Sequence, residues 1–205
     1  RHGLDVHPKS VFLDGRKSLL DFAESCANTS EFLNEHFRCE RPIIRWSNTR
    51  FYNGLLQVLT PLRARRFSPT MEVRLVRGAD EDRDTKVNEV EAKAVVREVR
   101  RLVDSGDAEG LTIGVISPFR EQANAIQRFL DSEFLSNSDV VREHRIVSST
   151  ADGFQGDERD IVLYSFRQGP SSAPGSITAI EIERERINVA FTRARRKAMC
   201  FISRP

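Results

Sequence analysis

The stretch Leu111-Thr112-Ile113-Gly114-Val115-Ile116-Ser117-Pro118-Phe119-Arg120-Glu121-Gln122 decides how this chain is read. Its first six residues form a compact apolar run rich in β-branched side chains, the composition of a strand buried on both faces in a parallel sheet. Beyond Pro118, Ala123, Ile126, Phe129 and Leu130 recur at helical spacing on one face. A buried strand followed by an amphipathic helix is a βα unit, and the alternation extends both ways from it. Upstream, residues 73–76 read as a strand and 87–103 as a helix carrying Val90, Ala94, Val95, Val99 and Leu102, ended by glycines at 106 and 110. Earlier still, Pro42 opens a helix with Ile43, Ile44, Trp46 and Phe51 that Gly54 stops. Residues 30–38, with Phe32, Leu33 and Phe37, read as strand to turn, and 19–27 as a short helix capped by Ser18. Downstream, 146–148 and 161–165 read as strands, 181–193 as a helix and 198–202 as a last strand. Strands alternating with helices predict an α/β domain with a parallel sheet. Residues 1–17 lack periodicity and read as a linker; 168–176 (QGPSSAPGS) read as a mobile surface loop.

With 205 residues, 39% apolar and 30% charged, the chain can bury one sizeable core, and its net charge of +2 fits neither intrinsic disorder nor a polycation. Any nucleic-acid contact must be a local basic stripe. Of the 32 cations only Lys9, Lys17, Lys86, Lys93 and Lys197 are lysines, and the other 27 are arginines. Arginine suits planar, bidentate phosphate contacts, and a GC-rich bacterial genome gives the same bias. Three cysteines without CxxC spacing suggest neither a disulfide framework nor a zinc ribbon, and point to a reducing compartment. No run approaches the roughly 18 apolar residues of a membrane span, so an intracellular, cytoplasmic protein without a membrane partner is expected. A start at Arg1 rather than Met reads as a chain cut from something longer.

An α/β sheet invites a search for a phosphate-cradling loop, and none is found. Gly15-Arg16-Lys17-Ser18 lacks the upstream glycine and a preceding strand, so it reads as chance. His36 and Cys39 form half of a metal site with no second pair at ligand spacing; a structural role is expected and no metal ligand is assigned. Three polar segments stand out where strands end: 35–38, 148–158 and 186–195. Glycine amides, short hydroxyls and fixed cations are what a phosphate or nucleic-acid site needs. Ordinary turns at Gly153 and Gly156, and a solvated helix face for Arg193, Arg195 and Arg196, account for the same residues equally well.

At these residues the sequence resembles the second, carboxyl-terminal motor domain of superfamily 1 helicases, in the 5′ to 3′ branch. Thr150 to Glu158 resembles helicase motif V (T-x-D-x-F-Q-G-x-E), and Asn188 to Ala194 resembles motif VI (N-V-A-x-T-R-A). His36-Phe37-Arg38, with Pro42 and Phe51-Tyr52 after it, is similar to motif IV, with Phe37 where the family usually has tyrosine. Asn88 to Ala92 and Ile113 to Gln122 are supporting matches, and all five fall in the family's order. The resemblance implies a RecA-like P-loop NTPase fold over residues 18–205, without its own P-loop.

It also implies half of an ATP site. ATP and Mg²⁺ would lie between this domain and the first motor domain of the same polypeptide, which would supply the P-loop and metal ligands. Arg38 and Arg193 would be arginine fingers, neutralising charge on the phosphoryl oxygens. Phe37 would lie against the adenine, Gln155 and Gly156 near the phosphate, and Glu158 on the ribose. Thr150 and the Ser117-Pro118-Phe119 turn would hold single-stranded DNA or RNA by its backbone. A module that keeps the fold and binds nucleic acid without turnover is the alternative.

Overall fold

A computed structural model describes residues 23, 26–29, 31–61, 66–78, 82, 85–167 and 184–204. The chain divides into two compact units, residues 1–34 and 35–205. In the first, the helix expected over 19–27 is described only at Ala23, Cys26 and Ala27, where the Ala27 amide donates to the Ala23 carbonyl at 2.9 Å. The expected loop at 168–176 lies outside the described residues.

The second unit opens with β1 (Glu35–His36), α1 (Arg41–Phe51) and β2 (Gln57–Val58), followed by β3 (Met71–Arg77), α2 (Glu89–Asp104) and β4 (Ile113–Ile116). It continues with α3 (Arg120–Glu133), α4 (Ser138–Glu143), β5 (Val147–Ser149), β6 (Arg159–Ser165), α5 (Arg184–Phe191) and β7 (Ala194–Arg204). β1 and β2 pair as a small parallel ribbon, and the other five strands form one parallel sheet in the order β3-β7-β6-β4-β5. The alternation read from residues 111–122 thus gives the expected α/β fold.

Period-two alternation along the central strands sends neighbouring residues to opposite faces. Ile113, Val115, Ile161, Leu163, Met199 and Phe201 face α2 and α3, whereas Ile116, Val162, Tyr164, Ala198 and Cys200 face α1 and α5. The result is a sheet between two helical layers. α2 begins where the Asn88 side chain accepts the Glu91 amide at 3.0 Å, a cap worth about 1 kcal/mol. α1 carries Pro42 in its first turn, and the chain leaves it through Asn53 and Gly54, both at positive φ.

Three expectations are corrected, and one helix was not anticipated. The strand expected across 30–38 is only Glu35–His36, and Phe32 and Leu33 are exposed. Val90, expected on the buried face of α2, is 43% exposed, while Glu91 is fully buried; a carboxylate can occupy that place because donors surround it. The short helix α4 carried no signal in the apolar pattern. The last helix ends at Phe191, and β7 begins at Ala194 rather than at 198. Arg195, Arg196 and Lys197 can enter a central strand because carboxylates stand opposite: Glu158 and Asp160 pair with the arginines, and Glu72 with Lys197.

Candidate functional site

Arg38 is placed by a turn closed on itself. The Cys39 amide donates to His36 Nε2 at 2.9 Å, which leaves the ring proton on Nδ1. Burial, and next the Arg38 charge, lower the His36 pKa and keep the ring a neutral acceptor at pH 7. The Cys39 thiol donates to the Thr192 carbonyl at 3.4 Å, and the Glu40 amide donates to the Arg195 carbonyl at 2.8 Å. These bonds staple the turn to the chain entering β7. Burial pushes the Cys39 thiol up to about 12, so it is no thiolate nucleophile at neutral pH. The His36 and Cys39 pair closes a turn.

Arg193 is delivered by α5. Phe191 stacks on Tyr164 with ring centroids 4.5 Å apart and tilts against Trp46 at 4.8 Å, while Tyr164 Oη donates to the Ala190 carbonyl at 2.7 Å. The Arg193 amide then donates to the Ala190 carbonyl at 2.9 Å, so the residue's register follows the helix packing. Its half-buried guanidinium donates from Nη1 to the Asp157 carbonyl at 3.4 Å, and its buried Nε has no hydrogen-bond partner. Among the described residues it forms no ion pair. Burial, and next the Arg38 charge, lower its pKa. A cation pressed in this way gains from an incoming anion.

Around it, Arg38 Nε meets Glu158 Oε2 at 2.7 Å and Nη1 donates to the Thr192 carbonyl at 3.3 Å. Glu158 Oε1 takes Arg195 at 3.2 Å, and Asp160 takes Arg195 and Arg196 at 3.1 and 3.4 Å. The Arg38–Glu158 pair is about two-fifths exposed on both sides, so it contributes about 0–1 kcal/mol, too little to hold Arg38 from a phosphate. Phe37 is 56% exposed beside it, and Gln155 and Gly156 are exposed, Gly156 with φ +83° and open space where a Cβ would stand.

The polar segments divide between two edges of the sheet. Glu158 precedes β6 and Arg193 precedes β7, so the arginine cluster lies at the amino edge; Thr150 follows β5 and Pro118 follows β4, at the carboxyl edge. Segment 150–158 runs between them, pinned midway by Phe154, which is 2% exposed and packs against Gly114 of β4. At the carboxyl edge Pro118, Arg120, Thr150, Ala151 and Asp152 line an open cleft of about 230 Å³. Thr150 Oγ1 accepts the Gly153 amide at 3.3 Å. Ser117 is fully buried and its Oγ accepts the Phe119 amide at 3.3 Å, so that hydroxyl shapes the turn from inside. Phe119 is half-buried beneath the Arg167 guanidinium.

The structure therefore brings Arg38, Glu158 and Arg193 together, with Phe37 adjacent in the chain, and separately brings Thr150 to Pro118. Arg120, Arg195 and Asp160 were not singled out for these places by sequence reasoning. Arg120 directly follows the quoted turn, which was the available signal; the partners of Arg195 and Asp160 meet only across strands.

A parallel sheet between helical layers, with an arginine cluster on one edge and a polar cleft on the other, is consistent with the RecA-like P-loop NTPase class. A family model described as an AAA domain matches residues 16–204, and the chain belongs to that family. It is a helicase-related motor-domain module. The chain is 32% identical over 143 residues to the DNA replication ATP-dependent helicase/nuclease JHS1 of Arabidopsis thaliana, covering 70% of this chain and 10% of that protein. It is 28% identical over 194 residues to the DNA polymerase alpha-associated DNA helicase A of Saccharomyces cerevisiae, covering 82% and 26%. It is 31% identical over 172 residues to the 5'-3' DNA helicase ZGRF1 of Mus musculus, covering 80% and 9%. The chain thus spans from about a tenth to about a quarter of these relatives' lengths.

Proposed function

We propose that this chain is the second motor domain of an ATP-dependent helicase or translocase acting on single-stranded DNA or RNA, and that it closes a nucleotide site begun on a preceding motor domain. The observation that carries this reading is Arg193: a half-buried guanidinium without an ion pair among the described residues, beside a second cation, Arg38. ATP with Mg²⁺ would supply the phosphoryl charge there; the metal ligands belong on the preceding domain. Arg38 and Arg193 approach that charge, Phe37 offers a ring to the base, Gly156 an amide, and Glu158 its Oε2, released for the ribose once Arg38 turns away while Oε1 stays on Arg195. Thr150 and the Pro118-Phe119 turn hold the strand by its backbone, which suits movement along any sequence. Relatives named as DNA helicases favour DNA, and one named as a 5'-3' helicase favours that polarity. A binding module without turnover is the competing reading, supported by the engagement of Arg38 with Glu158.

Magnitudes separate these readings. A surface cation near a helix end contributes roughly 0.3–1 kcal/mol, whereas a finger changes turnover by about a thousandfold or more, near 4 kcal/mol. In the intact protein, Arg193→Ala should cut strand-stimulated ATP turnover by at least about a hundredfold, with melting temperature and strand affinity little changed. Arg193→Lys should rescue poorly, because an ammonium lacks the planar fork. Steady-state ATPase assays with saturating oligonucleotide check this; near-normal turnover in Arg193→Ala removes the finger.

A further inference from the structure

At the carboxyl edge of the sheet a buried polar network surrounds one residue that the proposed function leaves unused. Glu91 is fully buried; its Oε1 accepts from Ser165 Oγ at 2.6 Å and from the Arg167 amide at 2.8 Å, and its Oε2 accepts from Ser203 Oγ at 2.6 Å. Asn88 Nδ2 donates to the Arg167 carbonyl at 3.0 Å and to Ser203 Oγ at 2.9 Å. Gln122 locks this network to α3: its Nε2 donates to Ser165 Oγ at 2.9 Å and to the Asn88 carbonyl at 3.1 Å, while its Oε1 accepts the Asn88 amide at 2.8 Å.

Both backbone polar groups of Arg167 are therefore gripped, and its φ is +64°, the left-handed region that is strained for a side-chain-bearing residue. Glycine would stand there without that strain. Arginine stands there instead, with its guanidinium carbon 3.6 Å from the Phe119 ring centroid and its Nη1 donating to the Lys86 carbonyl at 3.0 Å. Phe119 belongs to the turn that follows β4, between Pro118 and Arg120, which line the cleft with Thr150. The Ser117 hydroxyl fixes that turn from the core side, and Arg167 covers the ring from the other.

We propose that Arg167 is a positioning residue for the single-strand track: its guanidinium, aimed by the clamp of Glu91 and Asn88 on its backbone, fixes the Phe119 ring so that the ring's open surface meets a nucleobase. A cation on one face of an aromatic ring and a base beside the remainder combine cation–π and stacking contacts that tolerate every sequence. This rests on the reading of the carboxyl edge as the strand track.

Arg167→Gly in the full-length protein tests it, because glycine accepts the left-handed backbone while the whole side chain, guanidinium included, is removed from the Phe119 ring. With a fluorescent oligo(dT) probe, the dissociation constant should rise roughly tenfold, while the melting temperature falls by no more than a few degrees. Phe119→Leu should weaken binding by a similar factor. The double variant should bind no more weakly than the weaker single variant, because both remove one contact. If Arg167→Gly unfolds the protein, Arg167→Asn, also tolerant of positive φ, carries the same comparison. Unchanged affinity in Arg167→Gly, or fully multiplicative losses in the double variant, overturns the positioning role. Thr150→Ala separates the two levels: its weakening with Arg167→Gly silent overturns only the role of Arg167, whereas no loss in any of these variants removes the strand track as well.

Discussion

The Glu91 carboxylate accepts three hydrogen bonds, and burial outweighs them, so its pKa lies above the ordinary glutamate value of 4.5. Between that value and the raised one the folded state binds more protons than the unfolded state. Stability contributed by this group therefore falls as pH rises through the window. Glu91→Gln keeps an amide oxygen for Ser165 and the Arg167 amide and removes the titration. Its melting temperature, measured against wild type from pH 4.5 to 8, should shift progressively in the variant's favour as pH rises; parallel curves would show that Glu91 does not titrate there. At the same scale, burial pushes the Cys39 thiol up to about 12, which keeps it protonated at neutral pH.

Strand β4 and segment 150–158 meet at Gly114. A Cβ placed there would stand 2.9 Å from Phe154 Cε1 and Cζ and from Arg159 Cγ, and both neighbours are held: Phe154 is buried, and Arg159 pairs with Asp157 at 2.6 Å. Neither can yield cheaply, so Gly114→Ala should cost about 1–3 kcal/mol, a fall of several degrees in melting temperature. Because Phe154 sits between Thr150 and Glu158, the displacement should also weaken strand binding and turnover together. Thermal melting with both assays checks this; an unchanged melting temperature would mean that the segment is not pinned at Gly114.

Among the described residues the sheet presents an arginine cluster at its amino edge, in which Arg38, Arg195 and Arg196 are paired with carboxylates and Arg193 is not, and a polar cleft at its carboxyl edge. No helix among the described residues is long and apolar enough to cross a membrane. The chain contains no G-x-x-x-x-G-K-[ST] segment, so the 205 residues alone should hydrolyse ATP no faster than background, with or without an oligonucleotide. Turnover by the purified chain at rates of about 1 per second or above would mean that it holds a complete site and overturn the half-site proposal.

The βα units were legible because each rests on contacts between residues close in sequence: β-branched runs, helical spacing, Pro42 at a helix start and Gly106 and Gly110 at positive φ after another. Arg38, Glu158 and Arg193 at the amino edge, and Thr150 and Pro118 at the other, are picked out through the family resemblance of their segments, and the part each plays in a site is a proposal. What only the tertiary structure decided depends on partners distant in the chain. The start of β7 in a run of three cations follows from Glu158, Asp160 and Glu72 across the sheet. The burial of Glu91 in place of Val90 follows from Ser165, Arg167 and Ser203, more than 70 residues away. A charge in isolation reads as solvent-facing; its place in a folded protein is set by whether other elements bring it a counter-charge or a donor, and sequence periodicity does not carry that information.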